Sequence, residues 1–373
     1  MALKNVLGRY YTNLRGWRTR RKILVIESDD WGSIRMPSRE VYEACLKSGY
    51  HVDKIAYERY DSLASEEDLE RLFDVLSSFK DIHGRSPLIT ANCVVANPDF
   101  DKIRADNFRN YYYESITETF KRYSRHHNCF NLWKDGMSQG LFHPQFHARE
   151  HLNVSLFMDA LKAGDPDVLF GFDHEMPGSI RQGAGMGGNR YVEATRYSSA
   201  QDKKDKLSIF LEGLDMFESL FGFKSESIIP PNYIWSQDFN QAVHSKGVKF
   251  FQGLRKICEP QIEGEGECID IYQGKRNQLG QKYLVRNAVF EPSLVKANSR
   301  DPLASCLSDI EIAFKMKKPA VIGSHRINYV GFIDPANRDN TLKMLEELLS
   351  ITKKRWPEVE FLSSDELGRA MIT

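Results

Sequence analysis

Short apolar runs alternate along the chain with segments whose apolar residues recur every three or four positions. Uninterrupted runs of this kind are typical of strands that are buried on both faces of a parallel sheet. Strands that alternate with helices predict an α/β fold in which helices cover the sheet. The predicted strands are Ile23–Glu27, Leu88–Val95, Leu141–Phe146, Val168–Phe172, Ser227–Pro230, Lys249–Gly253, Tyr283–Phe290, Ala320–Ser324 and Glu360–Leu362.

Three of the intervening segments carry helix signals. Ser65 begins a capping-box pattern in which Asp68 replaces the usual Glu, and apolar residues follow on one face. A second helix is predicted from Leu207 to a stop at Gly222, because glycine commonly ends helices in the left-handed conformation. The leucines from Leu342 onward predict a third helix.

Residues 176–199 do not fit this alternation. They are rich in glycine and show no apolar periodicity. We therefore predict a long loop inserted over the edge of the sheet, and long loops in compact domains are commonly either functional lids or disordered.

The length of 373 residues is compatible with one large domain, because α/β barrels reach about 400 residues. We predict a single barrel over 22–373, preceded by a separate segment over 1–21. That segment is rich in Lys and Arg, has no acidic residue, and places apolar residues at helical spacing. Two interpretations stay open: a helix packed on the barrel with a solvated basic face, and a helix in peripheral contact with an anionic membrane surface.

The composition excludes several classes of protein. Lys plus Arg and Asp plus Glu both number 51, so a net charge of zero gives no bulk attraction for nucleic acid. No apolar stretch approaches the ~18 residues of a membrane span, and the N-terminus lacks the apolar core of a secretory signal. The six cysteines show no CxxC spacing, which disfavours a thiolate metal site and a dense disulfide framework. We therefore expect reduced thiols and a cytoplasmic location.

Two adjacent carboxylates, Asp29 and Asp30, follow the first predicted strand. Barrels and open α/β sheets build their sites at the carboxyl ends of strands. Adjacent carboxylates repel each other unless a cation compensates, and a divalent metal is such a cation. Alternation along a strand would point the two side chains apart, so their roles can differ. A solvated turn or a helix cap is the alternative.

Histidines supply the second group of candidates. His143, His147 and His151 are spaced by four, and on a helix this spacing lets two imidazoles meet one zinc ion. We expect a helix with two of the three as ligands, and the spacing does not say which two. His325 ends a late apolar run, where it is placed to act as a general acid or base.

The order of these features resembles the polysaccharide deacetylases, carbohydrate esterase family 4 of the NodB-homology superfamily. A strand ends in Ser-Asp-Asp, a His-x-x-x-His stands at the start of a helix, another strand ends in Pro-Pro, and a late strand ends in His. The helix, strand and Ser-x-Glu-Leu over 341–367 are also similar. The resemblance spans roughly residues 22–370, with an interruption around 163–205. It implies an irregular parallel β/α barrel of seven to eight strands.

The resemblance also implies a divalent metal, most commonly zinc, and hydrolysis of N- or O-acetyl groups on sugars. The catalytic base and acid are matched by Asp29 and His325. The metal ligands are matched by Asp30, His147 and His151, with His143 as a competing ligand.

One motif departs from the family pattern. Where the family has Arg-Pro-Pro-Tyr, this chain has Ile229-Pro-Pro-Asn-Tyr233. The role of the family's arginine, which positions the catalytic aspartate, is then either vacant or filled by another residue, and Arg286 and Arg326 are the candidates. The predicted substrate contacts are Asn232, Tyr233, Trp235, Arg286, Asn287, Glu291 and His174.

The predicted function is removal of an acetyl or other acyl group from an amino sugar or other saccharide, in intracellular glycan metabolism. The enzyme would be a hydrolase acting on carbon–nitrogen bonds other than peptide bonds, with a saccharide or glycoconjugate as its partner. Two alternatives stay open. One is a barrel glycoside hydrolase that uses Asp29 with Glu291 or Asp173. The other is a non-catalytic carbohydrate-binding protein on the same scaffold.

Overall fold

The structure is a computed structural model that describes residues 8–180, 189–262, 266–295 and 301–371. Its strands are β1 (Lys22–Trp31), β2 (Ile89–Val94), β3 (Ala96–Pro98), β4 (Tyr113–Ser115), β5 (Phe142–Ala148), β6 (Ser227–Ile228), β7 (Phe250–Gly253), β8 (Lys256–Glu259), β9 (Glu267–Asp270), β10 (Lys282–Val285), β11 (Ala288–Val289), β12 (Ala320–His325) and β13 (Val359–Phe361). Its helices are α1 (Arg39–Lys47), α2 (Ala56–Tyr60), α3 (Glu66–Ser77), α4 (Phe100–Ala105), α5 (Ile116–Arg122), α6 (Cys129–Ser138), α7 (Val154–Ala163), α8 (Pro166–Asp173), α9 (Ala200–Phe221), α10 (Asn240–Ser245), α11 (Pro302–Lys315), α12 (Pro335–Arg355) and α13 (Ser364–Ala370).

One large parallel sheet forms the centre of the protein. Its strand order is β10-β7-β6-β5-β2-β1-β12-β11, and β13 joins it beside β1. Every pairing in this sheet is parallel, whereas the small pairs β3-β4 and β8-β9 are antiparallel. The predicted class, an α/β fold of the parallel barrel type, is confirmed.

A single stretch of chain joins the two edges of this sheet. β10 pairs with β7 at one edge and β11 pairs with β12 at the other, and only Arg286 and Asn287 separate β10 from β11. The amide of Arg286 donates to Gly253 in β7, and the amide of Asn287 donates to Val321 in β12. The curled sheet is therefore held closed at this point. The one strand predicted over Tyr283–Phe290 is two strands with different neighbours.

The register of the sheet brings the candidate residues to one rim. Asp29 lies beside His325 in the β1–β12 pair. On the other side of β1, β2 pairs with β5, which carries His147 near its carboxyl end. Because these strands are parallel, their carboxyl ends meet at the same end of the barrel.

The predicted helix signals are confirmed. At the start of α3, the Ser65 hydroxyl accepts from the Asp68 amide, and the Asp68 carboxylate accepts from the Ser65 amide. α9 ends at Gly222, whose φ is 79°. The leucines from Leu342 onward lie in α12.

The strand predicted over Val168–Phe172 is wrong, because these residues lie in α8. Asp165 caps this helix by accepting from the amides of Asp167 and Val168, and Pro166 occupies its first turn. A short apolar run does not by itself distinguish a buried strand from a buried helix. Here the pair Asp165-Pro166 is a helix start signal, and it favours a helix over a strand for the run that follows.

The described part of the N-terminal segment packs against the barrel. Residues 8–12 are helical, and Arg9 forms an ion pair with Asp309 at 3.1 Å. Lys318 Nζ donates to three successive backbone carbonyls at 15–17. Three apolar side chains stay exposed, Tyr10, Tyr11 and Leu14. Within the described ranges, no helix is both long and apolar enough to cross a membrane.

The expectation of reduced thiols is wrong for one pair of cysteines. Cys258 in β8 lies directly opposite Cys268 in β9, and their sulfurs form a disulfide. No sequence pattern indicated this pair, because the β8–β9 hairpin itself was not predicted. The remaining cysteines are free and buried: Cys45, Cys93, Cys129 and Cys306.

The predicted loop over 176–199 is only partly covered, because 181–188 lie outside the described residues. The described parts hold one short 3-10 turn, Arg190–Val192, and otherwise no regular element. Asn189 and Val192 from this stretch line the large cavity described below.

Gly213 marks a close approach between α9 and β5. A Cβ at this position would lie 2.6 Å from Phe146 Cζ and 2.9 Å from Arg149 Cβ. We expect Gly213→Ala to destabilise the protein by about 1–3 kcal/mol, although alanine normally stabilises a helix interior by about 1 kcal/mol relative to glycine. Urea unfolding measures the change, with Ser219→Ala on the exposed face of α9 as the control. An unchanged or raised stability would contradict this packing.

Candidate active site

A cavity of about 1260 Å³ opens at the carboxyl end of the barrel. It exceeds the roughly 300–1,000 Å³ of ordinary small-molecule sites. Its walls come from the ends of central strands, from α2 and α12, and from the turns that follow β6 and β11. The predicted catalytic and metal-binding residues that line it are Asp29, Asp30, His147, His151 and His325.

Asp29 and Asp30 both reach this cavity because β1 departs from regular strand geometry. Asp30 has a φ of 72°, and the register between β1 and β2 shifts between Ser28 and Trp31. A regular strand would send the two carboxylates to opposite faces. A left-handed conformation at a non-glycine residue is strained by about 1–3 kcal/mol, and such strain is concentrated at functional sites.

Asp30, His147 and His151 form a largely buried cluster in this cavity. Asp30 Oδ1 lies 3.6 Å from His147 Nε2 and 3.5 Å from His151 Nε2. One ligand atom from each residue lies within 4.8 Å of the other two. Ligand atoms around a tetrahedral zinc ion are about 3.3 Å apart, given metal–ligand bonds of about 2.0 Å. The donor set and its spacing therefore fit a divalent metal.

Hydrogen bonding leaves these imidazoles suited to bind a cation. His147 Nδ1 lies 2.8 Å from the Ile229 carbonyl, to which it donates, and this leaves the Nε2 lone pair on the side of Asp30. His147 Nε2 and His151 Nδ1 are buried and have no hydrogen-bond partner among the described residues. Burial lowers the pKa of His151 to about 3, against the opposing charge of Asp30. His151 is therefore neutral at physiological pH, which is the form that binds metal.

His143 does not belong to this cluster. It lies four residues before His147 in β5, about 13 Å away at roughly 3.3 Å per residue. Its Nε2 lies 2.9 Å from an oxygen of Asp365 in α13. The expected helix is wrong, because the first two histidines lie in β5 and His151 follows the strand. The chain bends after Ala148 and brings the His147 and His151 rings to 4.7 Å.

Arg286 is the side chain that holds Asp29. Its two terminal nitrogens donate to both Asp29 oxygens at 2.7 and 2.6 Å, and its Nε donates to Glu27 at 2.7 Å. Asn92 donates a further bond to Asp29 at 2.7 Å. Burial opposes ionisation, but the charge and hydrogen bonds of Arg286 lower the pKa of Asp29 to about 2. Asp29 is therefore an oriented and ionised carboxylate.

His325 is oriented by Glu291. The Nδ1 of His325 bonds to a Glu291 oxygen at 2.5 Å, and its Nε2 lies 3.6 Å from Asp29. The second oxygen of Glu291 accepts from Asn328 at 2.6 Å. Burial lowers the pKa of His325, but the neighbouring carboxylates, Glu291 first, raise it to about 10. His325 is therefore protonated at neutral pH, the form that can donate a proton.

The other residues singled out in the sequence, as substrate contacts or as alternatives for a catalytic role, divide into two groups. Asn232 and Tyr233 line the cavity, with left-handed φ values of 52° and 57°, and the Tyr233 hydroxyl lies 3.5 Å from Arg286. The second group does not line the cavity and has partners elsewhere: Trp235 with Asn240, Asn287 with Asn13, His174 with Phe170, Arg326 with Asp61, and Asp173 with Arg104.

One wall of the cavity was missed in the sequence. It carries Arg35, Tyr57 and Glu58, which follow no predicted strand. The Tyr57 ring lies edge-on to His325 at 5.8 Å and 5.2 Å from the Arg35 guanidinium. The available signal was the charged and aromatic run Tyr57-Glu-Arg-Tyr60 between apolar segments. The buried partners Glu27 and Asn92 were missed as well, although Glu27 is an acid directly after an apolar run.

Comparison with known proteins gives structural neighbours only. No protein-family model matches the sequence, and no curated protein matches it. The chain is similar to a structure described as a polysaccharide deacetylase from Mycobacterium smegmatis, at 8% identity over 96% of this chain and 93% of that chain, with a TM-score of 0.44. PuuE allantoinase is similar at 10% identity over 95% and 91%, with a TM-score of 0.46.

A further neighbour is a GH57 branching enzyme from Thermococcus kodakaraensis, at 11% identity over 93% of this chain and 70% of that chain, with a TM-score of 0.41. All three TM-scores are below 0.5, and these similarities assign no activity to the chain.

The ligand cluster makes metal binding directly measurable. We expect the purified protein to bind one zinc ion per chain after reconstitution. Asp30→Ala and His151→Ala should lose it, because each removes one of three ligands. His143→Ala, in the same part of the chain, is the matched control and should retain zinc. Elemental analysis by mass spectrometry after gel filtration gives the stoichiometry. Zinc lost from the control but kept by His151→Ala would contradict the assignment.

The Glu291–His325 pair predicts how stability depends on pH. Because the folded-state pKa of His325 is raised from 6.5 to about 10, the pair stabilises fully below about pH 6.5 and loses its effect as the pH rises towards 10. In metal-free protein, we expect Glu291→Gln to lower the free energy of unfolding by about 1.5–3 kcal/mol at pH 6. The difference should shrink towards pH 10.

Urea unfolding at several pH values provides this measurement, with Glu346→Gln on the exposed face of α12 as the control. A difference that stays constant between pH 6 and pH 10 would show that no charged pair forms.

Proposed function

We propose that the protein is a metal-dependent hydrolase that removes an acyl group, such as acetyl, from an amino sugar or a related saccharide. The observation that carries this proposal is the meeting of three components in one cavity. A cluster of three residues that could hold a metal adjoins an ionised carboxylate, Asp29, and a protonated imidazole, His325, which lie 3.6 Å apart on neighbouring strands. These are the components that metal-assisted hydrolysis of an amide or ester requires.

Each side chain has a role that its surroundings support. Asp29 is ionised and held by Arg286, so it accepts the proton of the attacking water. His325 gives a proton to the departing amine or alkoxide. Glu291 bonds to His325 Nδ1 and thereby aims Nε2 at the reacting atoms.

A metal held by Asp30, His147 and His151 would acidify water and polarise the acyl carbonyl. Such help is needed because a pKa of about 2 makes Asp29 a weak base. The Ile229 carbonyl accepts from His147 Nδ1 and so fixes the tautomer of this imidazole. Ile229 thus contributes to the site through its backbone, although polysaccharide deacetylases have an arginine at the matching position.

The glycoside hydrolase alternative, which would use Asp29 with Glu291 or Asp173, has little support from the state of these three carboxylates. That chemistry needs a carboxylic acid with a raised pKa to protonate the leaving oxygen. Asp29 is held ionised by Arg286, and Glu291 is bonded to His325. Asp173 pairs with Arg104 in an exposed ion pair and does not line the cavity.

Acetate release tests the proposal. We expect the zinc-loaded protein to release acetate from oligomers of N-acetylglucosamine. Asp29→Asn and His325→Ala should lower kcat by about 10²–10⁴-fold while zinc is retained, because each removes one proton-transfer group. The control is His83→Ala, whose side chain is 61% exposed.

An enzyme-coupled acetate assay measures the rates. The substrate panel should include N-acetyl, N-formyl and O-acetyl saccharides. Zinc-loaded protein that releases no acid from any of them would falsify the deacylase assignment.

A further inference from the structure

A chain of hydrogen-bonded polar side chains crosses the interior of the barrel. Its four members, Asn92, Gln145, Ser227 and Gln252, are each at most 1% exposed. They lie in β2, β5, β6 and β7, respectively. Because β2 and β7 are not neighbours in the sheet, the bond between Asn92 and Gln252 spans a space that barrels usually fill with apolar side chains. Polar groups in that position need an explanation.

One end of this chain is fixed by the backbone. The Ser227 amide donates to Gln145 Oε1 at 2.8 Å, and Gln145 Nε2 donates to the Pro144 carbonyl at 2.7 Å. A backbone amide only donates and a backbone carbonyl only accepts, so the side-chain amide of Gln145 has one possible orientation. The Ser227 hydroxyl must then donate to Gln145 Oε1, from which it lies 2.8 Å away.

The directions of the remaining bonds follow from this end. The Ser227 hydroxyl oxygen accepts from Gln252 Nε2 at 2.8 Å, which leaves Gln252 Oε1 to accept from Asn92. Asn92 Nδ2 donates to that oxygen at 2.8 Å and to Asp29 Oδ1 at 2.7 Å. The chain therefore presents a donor to Asp29, which is what an ionised carboxylate requires, because it only accepts hydrogen bonds.

Asn92 holds this orientation although one of its own atoms is left unpaired. Its Oδ1 is buried and has no hydrogen-bond partner among the described residues. A buried acceptor without a partner destabilises a protein. Rotating the amide would bring this oxygen against the carboxylate of Asp29, where two acceptors would repel each other. The two donated bonds, one of them to a charged group, therefore outweigh the unpaired acceptor.

The bond from Asn92 leaves the two oxygens of Asp29 in different surroundings. Oδ1 accepts from Asn92 and from one Arg286 nitrogen, at 2.7 and 2.6 Å, so both of its lone pairs are occupied. Among the described residues, Oδ2 accepts only from the other terminal nitrogen of Arg286, at 2.7 Å. Oδ2 therefore keeps one lone pair, and it lies 3.6 Å from Nε2 of His325, which lines the cavity.

We propose that Gln252 is a positioning residue that acts through Asn92: it holds the Asn92 amide on Asp29 Oδ1, so that Oδ2 is the oxygen that accepts the proton of the attacking water. This inference rests on the proposed function and assigns the atom at which the base acts. In that step one water O–H bond breaks, Oδ2 gains the proton, and the remaining hydroxyl bonds to the acyl carbon. Neither Asn92 nor Gln252 lines the cavity, so both act without touching the substrate.

Variants of the two amides test this role. Gln252→Leu keeps a similar size and removes the acceptor that holds Asn92. On the trimer of N-acetylglucosamine and at full zinc content, we expect this variant to lower kcat by about tenfold, with KM changed by less than about twofold. Asn92→Ala should lower kcat at least as much. Adding Gln252→Leu to Asn92→Ala should cause no further loss, because both substitutions act through the same bond.

Gln281→Leu is the matched control. Gln281 is a buried amide as well, 2% exposed, and its Nε2 donates to the Val248 carbonyl. It does not line the cavity. We expect Gln281→Leu to leave kcat unchanged, because the loss of a buried amide does not by itself disturb Asp29.

Three results would overturn the inference. They are an unchanged kcat in Gln252→Leu, an equal loss in Gln281→Leu, and losses that add in the double variant. If Gln252→Leu does not fold, Ser227→Ala takes its place with the same expectation, because it removes only the oxygen that accepts from Gln252.

Crystal structures separate this inference from the proposed function. If wild-type protein hydrolyses no saccharide, the proposed function fails, and the structure of Gln252→Leu decides the positioning role. Asn92 Nδ2 more than about 3.5 Å from Asp29 Oδ1 would support that role, since no hydrogen bond spans such a distance. An Asn92 amide that stays closer to Oδ1 without Gln252 would overturn it.

Discussion

The site depends on one buried guanidinium. Arg286 lies where the two edges of the curled sheet meet, and its side chain bonds to both Asp29 and Glu27. Asp29 stays ionised in the barrel because the positive charge of Arg286 compensates for its burial. Removing one partner of such a buried ion pair typically destabilises a protein by about 3–5 kcal/mol. Gly323 in β12 leaves room for this side chain, since a Cβ there would lie 2.7 Å from Arg286 Cδ. Barrel closure and the charge of the proposed base thus depend on the same residue.

The adjacent carboxylates of Asp29 and Asp30 can both lie at the rim because each one interacts with different, compensating partners. Asp29 is paired with Arg286 in the barrel interior, whereas Asp30 lies against His147 and His151. Burial alone would raise the pKa of Asp30, but the adjacent imidazoles of His147 and His151 hold it well below its usual range. The left-handed backbone at Asp30 lets both carboxylates reach the cavity, because a regular strand would place only one of the two side chains there.

The sequence predicted the rim because parallel strands align their carboxyl ends, so charged residues at several strand ends were expected to meet. It did not predict the order of the strands, and therefore did not reveal that Asp29 lies beside His325 or that Arg286 joins both sheet edges. Spacing by four suggested a helix for the histidines, although the same spacing also fits a strand followed by a bend. Arg35 and Glu58 lie away from strand ends, where no periodic pattern pointed to them.

The proposed chemistry requires that Asp30, His147 and His151 hold a divalent metal beside an arginine-bound Asp29. Anomalous X-ray diffraction from crystals grown with zinc tests it most directly. We predict one strong zinc peak about 2.0–2.2 Å from a ligand atom of each of the three residues, with Arg286 still bonded to Asp29. A peak between His143 and Asp365, or no peak in this cavity at saturating zinc, would contradict the account.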